Sequence, residues 1–167
     1  MAKMTIGVGI DQYMAQLKNL EFESPHIAGR AVYEGAKIVA DALKQEIEAL
    51  PVEESRKRSG DDMAHGVTMA QKKGLRFKND GGGTGIAKMR ADGSFYNVKI
   101  GFHGYNGTAT KKYPNGQPNA RIARSVESGT SFRRKNPFIS RAVRKSRAAA
   151  EKKMAQVVDE EVKKIMK

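Results

Sequence analysis

The chain has 167 residues and no cysteine, a length suited to one domain whose core buries about 70% of the unfolded surface. The missing cysteine excludes disulfide scaffolds and thiolate-held metal folds, and no apolar run nears the roughly 20 residues that cross a bilayer. The formal net charge is +13, concentrated in residues 111–153, where thirteen Lys/Arg face two Asp/Glu; residues 1–50 carry five against seven.

In chain order, the alternation of Ile6, Val8 and Ile10 predicts a short strand, and Asp11 caps a brief helix to Leu20. Ser24 as N-cap with Pro25 in the first turn opens a long helix over 24–50, which Pro51 ends. Its stripe takes in Ala28, Ala31, Val32, Gly35, Ile38, Val39, Ala42, Leu43, Ile47 and Leu50, and the small residues at 28, 31 and 35 allow another element to come close. Residues 52–60 are charged and loop-like. Asp61 or Asp62 then caps a short helix through Gln71, with Met63, Val67 and Met69 or Ala70 partly buried.

The run of glycines at 81–83 reads as a flexible link. Beyond it, residues 86–91 and 94–102 flank Asp92-Gly93, a two-residue hairpin signal, with Tyr96, Val98, Ile100 and Phe102 on one face. Residues 103–120 are rich in Gly, Pro, Asn and Thr and read as an exposed loop. A final helix over 137–166 aligns Ile139, Ala142, Val143, Ala149, Ala150, Met154, Val157, Val158, Val162 and Ile165. Its other face carries Arg141, Arg144, Lys145, Arg147, Lys152 and Lys153. The expected fold is α+β, one domain over 1–167: a small antiparallel sheet with a hairpin, packed by the long helix of the N-terminal half and the long C-terminal helix. Exposed loops are expected near 52–60, 78–85 and 103–120.

Enzyme chemistry finds little support in these residues. The glycine run with Lys88 lacks the Gly-Lys-Ser/Thr ending of a phosphate loop and precedes a strand instead of a helix. His26, His65 and His103 are scattered, with no i, i+4 pair to bind zinc. Ser125 and Ser128 are not in a nucleophile elbow, and no carboxylate pair is spaced for shared acid and base work. No catalytic residue, metal or cofactor is therefore expected.

The most specific stretch is 123–130, containing Val126, Glu127, Gly129 and Thr130, followed across a basic loop by Pro137 and Phe138. Gly129 suits a positive φ and Pro137 a helix start, so the stretch predicts a hinge into the last helix. Read from the residues alone, Glu127 is a surface ion pair with Arg124 or Arg133, and Phe138 is a core anchor. In the order V-E-x-G-T, gap, P-F, basic alanine-rich helix, the chain resembles the neck or tail-completion proteins of tailed bacteriophages. These are structural components of the head-to-tail junction and not enzymes.

In the family a short strand and a long small-residue helix come first, here residues 5–10 and 24–50, then a proline, a Thr-Gly pair and a leucine, here Pro51, Ser59-Gly60 and Met63. This chain departs at Ser128, where the family has an aromatic, and at Arg141, where it has a second proline. The resemblance implies a homo-oligomeric ring between the head connector and the tail terminator or tube. It also implies residence in the virion, assembly in the host cytoplasm, and Glu127, Gly129, Thr130, Pro137 and Phe138 as the interface or structural motif.

The basic excess adds polyanion or acidic-partner contacts, with Arg133, Arg134, Lys135, Arg141, Arg144 and Lys145 as candidates, and salt-dependent, non-specific contact with DNA in the channel. No membrane contact is expected. The alternative is a sequence-independent nucleic-acid-binding accessory protein that grips phosphates with residues 111–135 and the basic helix.

Overall fold

Ser24 and Pro25, expected to open a helix, lie inside one. The computed structural model describes residues 7–53, 63–92 and 95–167, and its first element is helix α1, Gly7–Glu48, 42 residues long with Pro25 in its interior. Pro25 has no N–H to offer the carbonyl of Glu21, and the Ser24 hydroxyl donates to that carbonyl at 2.9 Å instead. The serine bonds backward along the chain, so the helix passes through the proline. The expected strand at 5–10 and the separate helix from Asp11 to Leu20 are thereby corrected: residues 7–20 belong to α1, while Thr5 and Ile6 lie outside the described residues.

Two cations hold the far end of α1. The Lys72 ammonium donates to the carbonyls of Glu48 and Leu50 at 2.6 and 3.1 Å, where a positive charge suits the exposed carbonyls of a helix C-terminus. Arg76 grips the Glu48 carboxylate with two nitrogens at 2.7 and 2.9 Å. Lys72 and Arg76 come from helix α2, Met69–Leu75, and its C-cap. Thr68 caps α2 and Gln71 returns the bond in a capping box, so the start expected at Asp61 or Asp62 is corrected. Those aspartates and Ser59-Gly60 lie outside the described residues, and Val67 is buried in a parallel bridge to Val52.

The sheet is smaller than expected. Strands β1, Thr84–Ile86, and β4, Ile100–Phe102, pair antiparallel, as do β2, Arg90–Asp92, and β3, Phe95–Asn97. Ile86 faces Ile100 but Arg90 faces Asn97, so three residues on one strand oppose two on the other, a bulge that divides the hairpin into two ladders. Asp92 pairs with Phe95 and so belongs to strand β2 and not to the turn expected at Asp92-Gly93, of which Gly93 lies outside the described residues.

The glycines at 81–83 are not a flexible link. A Cβ on Gly82 would sit 2.0 Å from the Arg76 carbonyl oxygen and one on Gly83 1.9 Å from that of His103, so this turn needs glycine for close backbone approach. Thr84 beside them is fully buried and donates its hydroxyl to the Leu75 carbonyl.

Helix α3, Asn119–Ser128, occupies part of what read as a loop. Ile122, Ala123 and Val126 bury one side of it, and Asn119, also buried, donates from its amide to the His103 carbonyl at 2.7 Å. Asn106 and Gly116 are buried as well, so 103–120 is not exposed throughout. Helix α4, Phe138–Ile165, runs antiparallel to α1: Gly35 meets Ala150 and Met154, and Arg30 meets Glu161 at 2.8 Å. Its buried residues are Phe138, Ala142, Ser146, Ala150 and Val157, while Val143, Ala149 and Val158 of the expected stripe are exposed.

The fold is α+β, with α1 and α4 packed together and a small antiparallel strand set at one side. One core joins Leu43, Ile47 and Leu50 of α1 to Leu75, Ile122, Val126, Phe138 and Ala142, with Ile100 and Phe102 of β4 against it. Phe138 is 0% exposed and meets the Phe102 ring edge-on at 6.1 Å between centroids. Replacing Phe138 with alanine is expected to cost about 3 to 5 kcal/mol, the usual loss for a buried aromatic. Urea unfolding measures it, and an unchanged midpoint would mean that Phe138 does not anchor the core.

Candidate functional site

The stretch around Gly129 forms a joint between α3 and α4. Gly129 ends α3 with φ +76°, a left-handed value that non-glycine residues rarely hold, and a Cβ there would press within 3.1 to 3.2 Å of Lys135. Thr130 and Arg133 then exchange backbone hydrogen bonds at 2.9 and 3.2 Å, and the Asn136 N–H donates to the Val126 carbonyl at 2.8 Å. This tight turn brings the chain back beneath the end of α3.

Pro137 stands at the cap of α4 with no side-chain oxygen to offer the first N–H groups of the helix. Glu127 supplies that oxygen from the neighbouring helix. Its carboxylate accepts from the N–H groups of Ile139 and Ser140 at 2.8 and 3.1 Å and from the Ser140 hydroxyl. An anion at a helix N-terminus is also favoured by the helix dipole. The expected pairing of Glu127 with Arg124 or Arg133 is not the contact formed; it acts as the packing residue of the hinge. Pro137, read as the first helical residue, is the cap residue, and Phe138 begins the helix.

The six candidate cations divide into two groups. Arg133 is only 7% exposed and donates to the Gln71 side-chain oxygen at 2.9 Å, so its placement as a surface contact is corrected: it is a structural residue. Gln71, 1% exposed, is the hub of that polar cluster and also donates to the Gln117 side chain at 3.0 Å. Arg141 and Lys145 converge on Glu46 of α1 at 2.8 and 2.5 Å, and Arg141 reaches Asn136 at 2.7 Å. Where the resembled family carries a proline, this chain therefore has a cation that ties α4 to α1.

Arg134, Lys135 and Arg144 are exposed, and Lys135 and Arg144 have no side-chain partner among the described residues. Tyr113 is held by Arg121, which donates to its hydroxyl at 2.9 Å and lies 5.4 Å from its ring centre, so that aromatic is engaged within the protein.

Glu46, Gln71 and Asn119 escaped the sequence reading. The Thr68 to Gln71 spacing of a capping box was a visible signal for the second, whereas Glu46 and Asn119 gave none, because their partners lie far along the chain. Among the described residues no cluster of His, Cys, Asp or Glu is arranged to hold a metal ion, and no helix is long and apolar enough to cross a membrane. No family model, curated protein or solved structure matches the chain.

Replacing Gly129 with valine forces a β-branched residue into the left-handed region against Lys135. It is expected to cost about 1 to 3 kcal/mol, read by thermal or urea unfolding. Stability equal to that of the unaltered protein would show the joint to be tolerant.

Glu46 provides a pH test. Lys145 on one carboxylate oxygen and Arg141 on the other outweigh burial and hold its carboxyl below the ordinary value of 4.5. A depressed folded value contributes stability that is present above the unfolded value and lost as pH falls through the folded one. Glu46→Gln is therefore expected to lower stability by about 1.5 to 3 kcal/mol at neutral pH. The difference should narrow as pH falls through the ordinary glutamate range and close only below the depressed value of Glu46 itself. A difference independent of pH would show that the charge is not what matters.

Proposed function

We propose that this protein is a structural virion component of the head-to-tail junction of a tailed bacteriophage, forming or completing a ring that joins the tail to the head connector. The observation that carries the reading is the use made of the motif residues: Glu127, Gly129, Pro137 and Phe138 build a joint that fixes two helices and the core between them. A motif spent on architecture suits an assembly protein and not an enzyme. Ring formation needs two different patches on each subunit, and the chain has a mildly acidic N-terminal segment and a strongly basic C-terminal one.

In this reading the neighbours are further copies, the connector, and the tail terminator or tube, met in the host cytoplasm and kept in the virion. The exposed cations Lys135, Arg144 and Lys152 face acidic neighbours or the phosphates of DNA in the channel, without reading its sequence. Reversing these three to glutamate should leave the fold intact, because exposed charges add little to stability. It should slow the joining of purified heads to tails by roughly tenfold or more through lost electrostatic steering. Joining at the unaltered rate, together with loss of salt-sensitive binding to duplex DNA, would favour a nucleic-acid-binding accessory protein instead.

A further inference from the structure

Helix α1 is much longer than the partner it packs on. Arg30 meets Glu161, four residues before α4 ends at Ile165, so the segment of α1 before residue 26 runs past the end of α4 for about 28 Å. Its apolar side does not stop there. Tyr13, Met14, Leu17 and Leu20 lie, after an interruption at Glu23 and Ser24, on the same side of the helix as the buried Ile27 and Ala31, seven residues separating Leu20 from Ile27, yet Tyr13 is 53% exposed, Met14 49% and Leu17 37%. A bare apolar face in line with a packed one suits a contact that one chain cannot supply.

The same chain carries a second unfilled apolar feature. Between the α1–α4 pair and strand β4 lies an open cleft of about 380 Å³, with Val32 and Val39 of α1 as floor and Val98, Ile100, Ile139 and Val143 among its walls. Val143 is 46% exposed, and Arg144 and Arg147 follow it on the outer side of α4. The projecting arm is acidic over 11–24, with Asp11, Glu21 and Glu23 against Lys18, so arm and cleft match in charge as well as in apolar character. The arm cannot fill the cleft of its own chain, because the floor of that cleft is the continuation of the same helix.

We infer that the projecting half of α1 docks in the cleft between α1, α4 and β4 of a second copy of this chain. The contact is heterologous: each copy gives an arm and receives one, which leads to a closed ring or an open filament. This deepens the ring reading and rests on it for closure, while the contact itself rests on the two surfaces.

Donor and acceptor variants of the full chain test it. Met14→Asp with Leu17→Asp spoils the arm and leaves the cleft; Val143→Glu spoils the cleft and leaves the arm. These positions are substantially exposed, so circular dichroism should match the unaltered protein. In sedimentation velocity the unaltered protein should form oligomers and each variant alone should lose them, while an equal mixture of the two should give one-to-one dimers.

Because the chain has no cysteine of its own, Leu17→Cys mixed with Val143→Cys should also form an interchain disulfide under oxidation. An unaltered protein that stays monomeric at high concentration, variants that still oligomerise, or Leu17→Cys crosslinking to itself as readily as to Val143→Cys would each overturn the inference. Arm-dependent oligomers from a protein that fails to join heads to tails would uphold the contact and discard the neck reading.

Discussion

The antiparallel contact of α1 with α4 determines where the rest of the chain can go. Midway it is close because Gly35 accepts Met154, and at the C-terminal end of α1 it is pinned by Glu46 between Arg141 and Lys145. Glu46 is 6% exposed, and such a carboxylate is costly to remove from water unless its oxygens are satisfied. Two cations from adjacent turns of α4 do this only in one axial register, so the charge cluster specifies the pairing more than it strengthens it. Phe138 follows from that register. With Glu46 beside Arg141 and Lys145, the first turn of α4 lies over the C-terminal turns of α1, where β4 and α3 close the core around it.

Glu127 completes this arrangement from the other side. A helix whose cap residue is proline has no side-chain oxygen of its own for its first N–H groups; that of Phe138 donates to the Asn136 carbonyl, and those of Ile139 and Ser140 go to Glu127. The carboxylate of α3 therefore couples two requirements: α4 begins properly only when α3 ends properly, and α3 ends through the left-handed Gly129. Motif residues that seem separate along the chain, 127, 129, 137 and 138, act as one unit.

Which parts were legible follows from the range of the interactions that fix them. The hinge at Gly129, the core role of Phe138, the face of β4, the bounds of the last helix and the C-terminal part of α1 rest on local conformation or periodicity, and they read correctly. Ser24-Pro25 misled because the same two residues serve either as a helix start or, with the hydroxyl turned back to Glu21, as a repaired interruption. Only the presence of helix on both sides decides. Helix α3 was hidden by the Gly, Pro and Asn residues before it and by its arginines, since its apolar content is little more than Ile122, Ala123 and Val126. Arg133 misled in the opposite direction: a run of three basic residues suggests solvent, but its fate depends on Gln71, 62 positions away.

The proline inside α1 also explains how a long projecting helix can be sustained. An isolated helix of roughly 18 residues is marginal in water because its first turn is costly to form. The projecting half of α1 avoids that cost by extending a helix already nucleated and packed between residues 27 and 48. Pro25 falls at the boundary between packed and bare halves and removes one ladder bond, and Ser24 satisfies the carbonyl that this leaves over. The interruption thus sits where the helix changes from core to surface, and the stripe before it is carried on the same continuous helix that packs on α4.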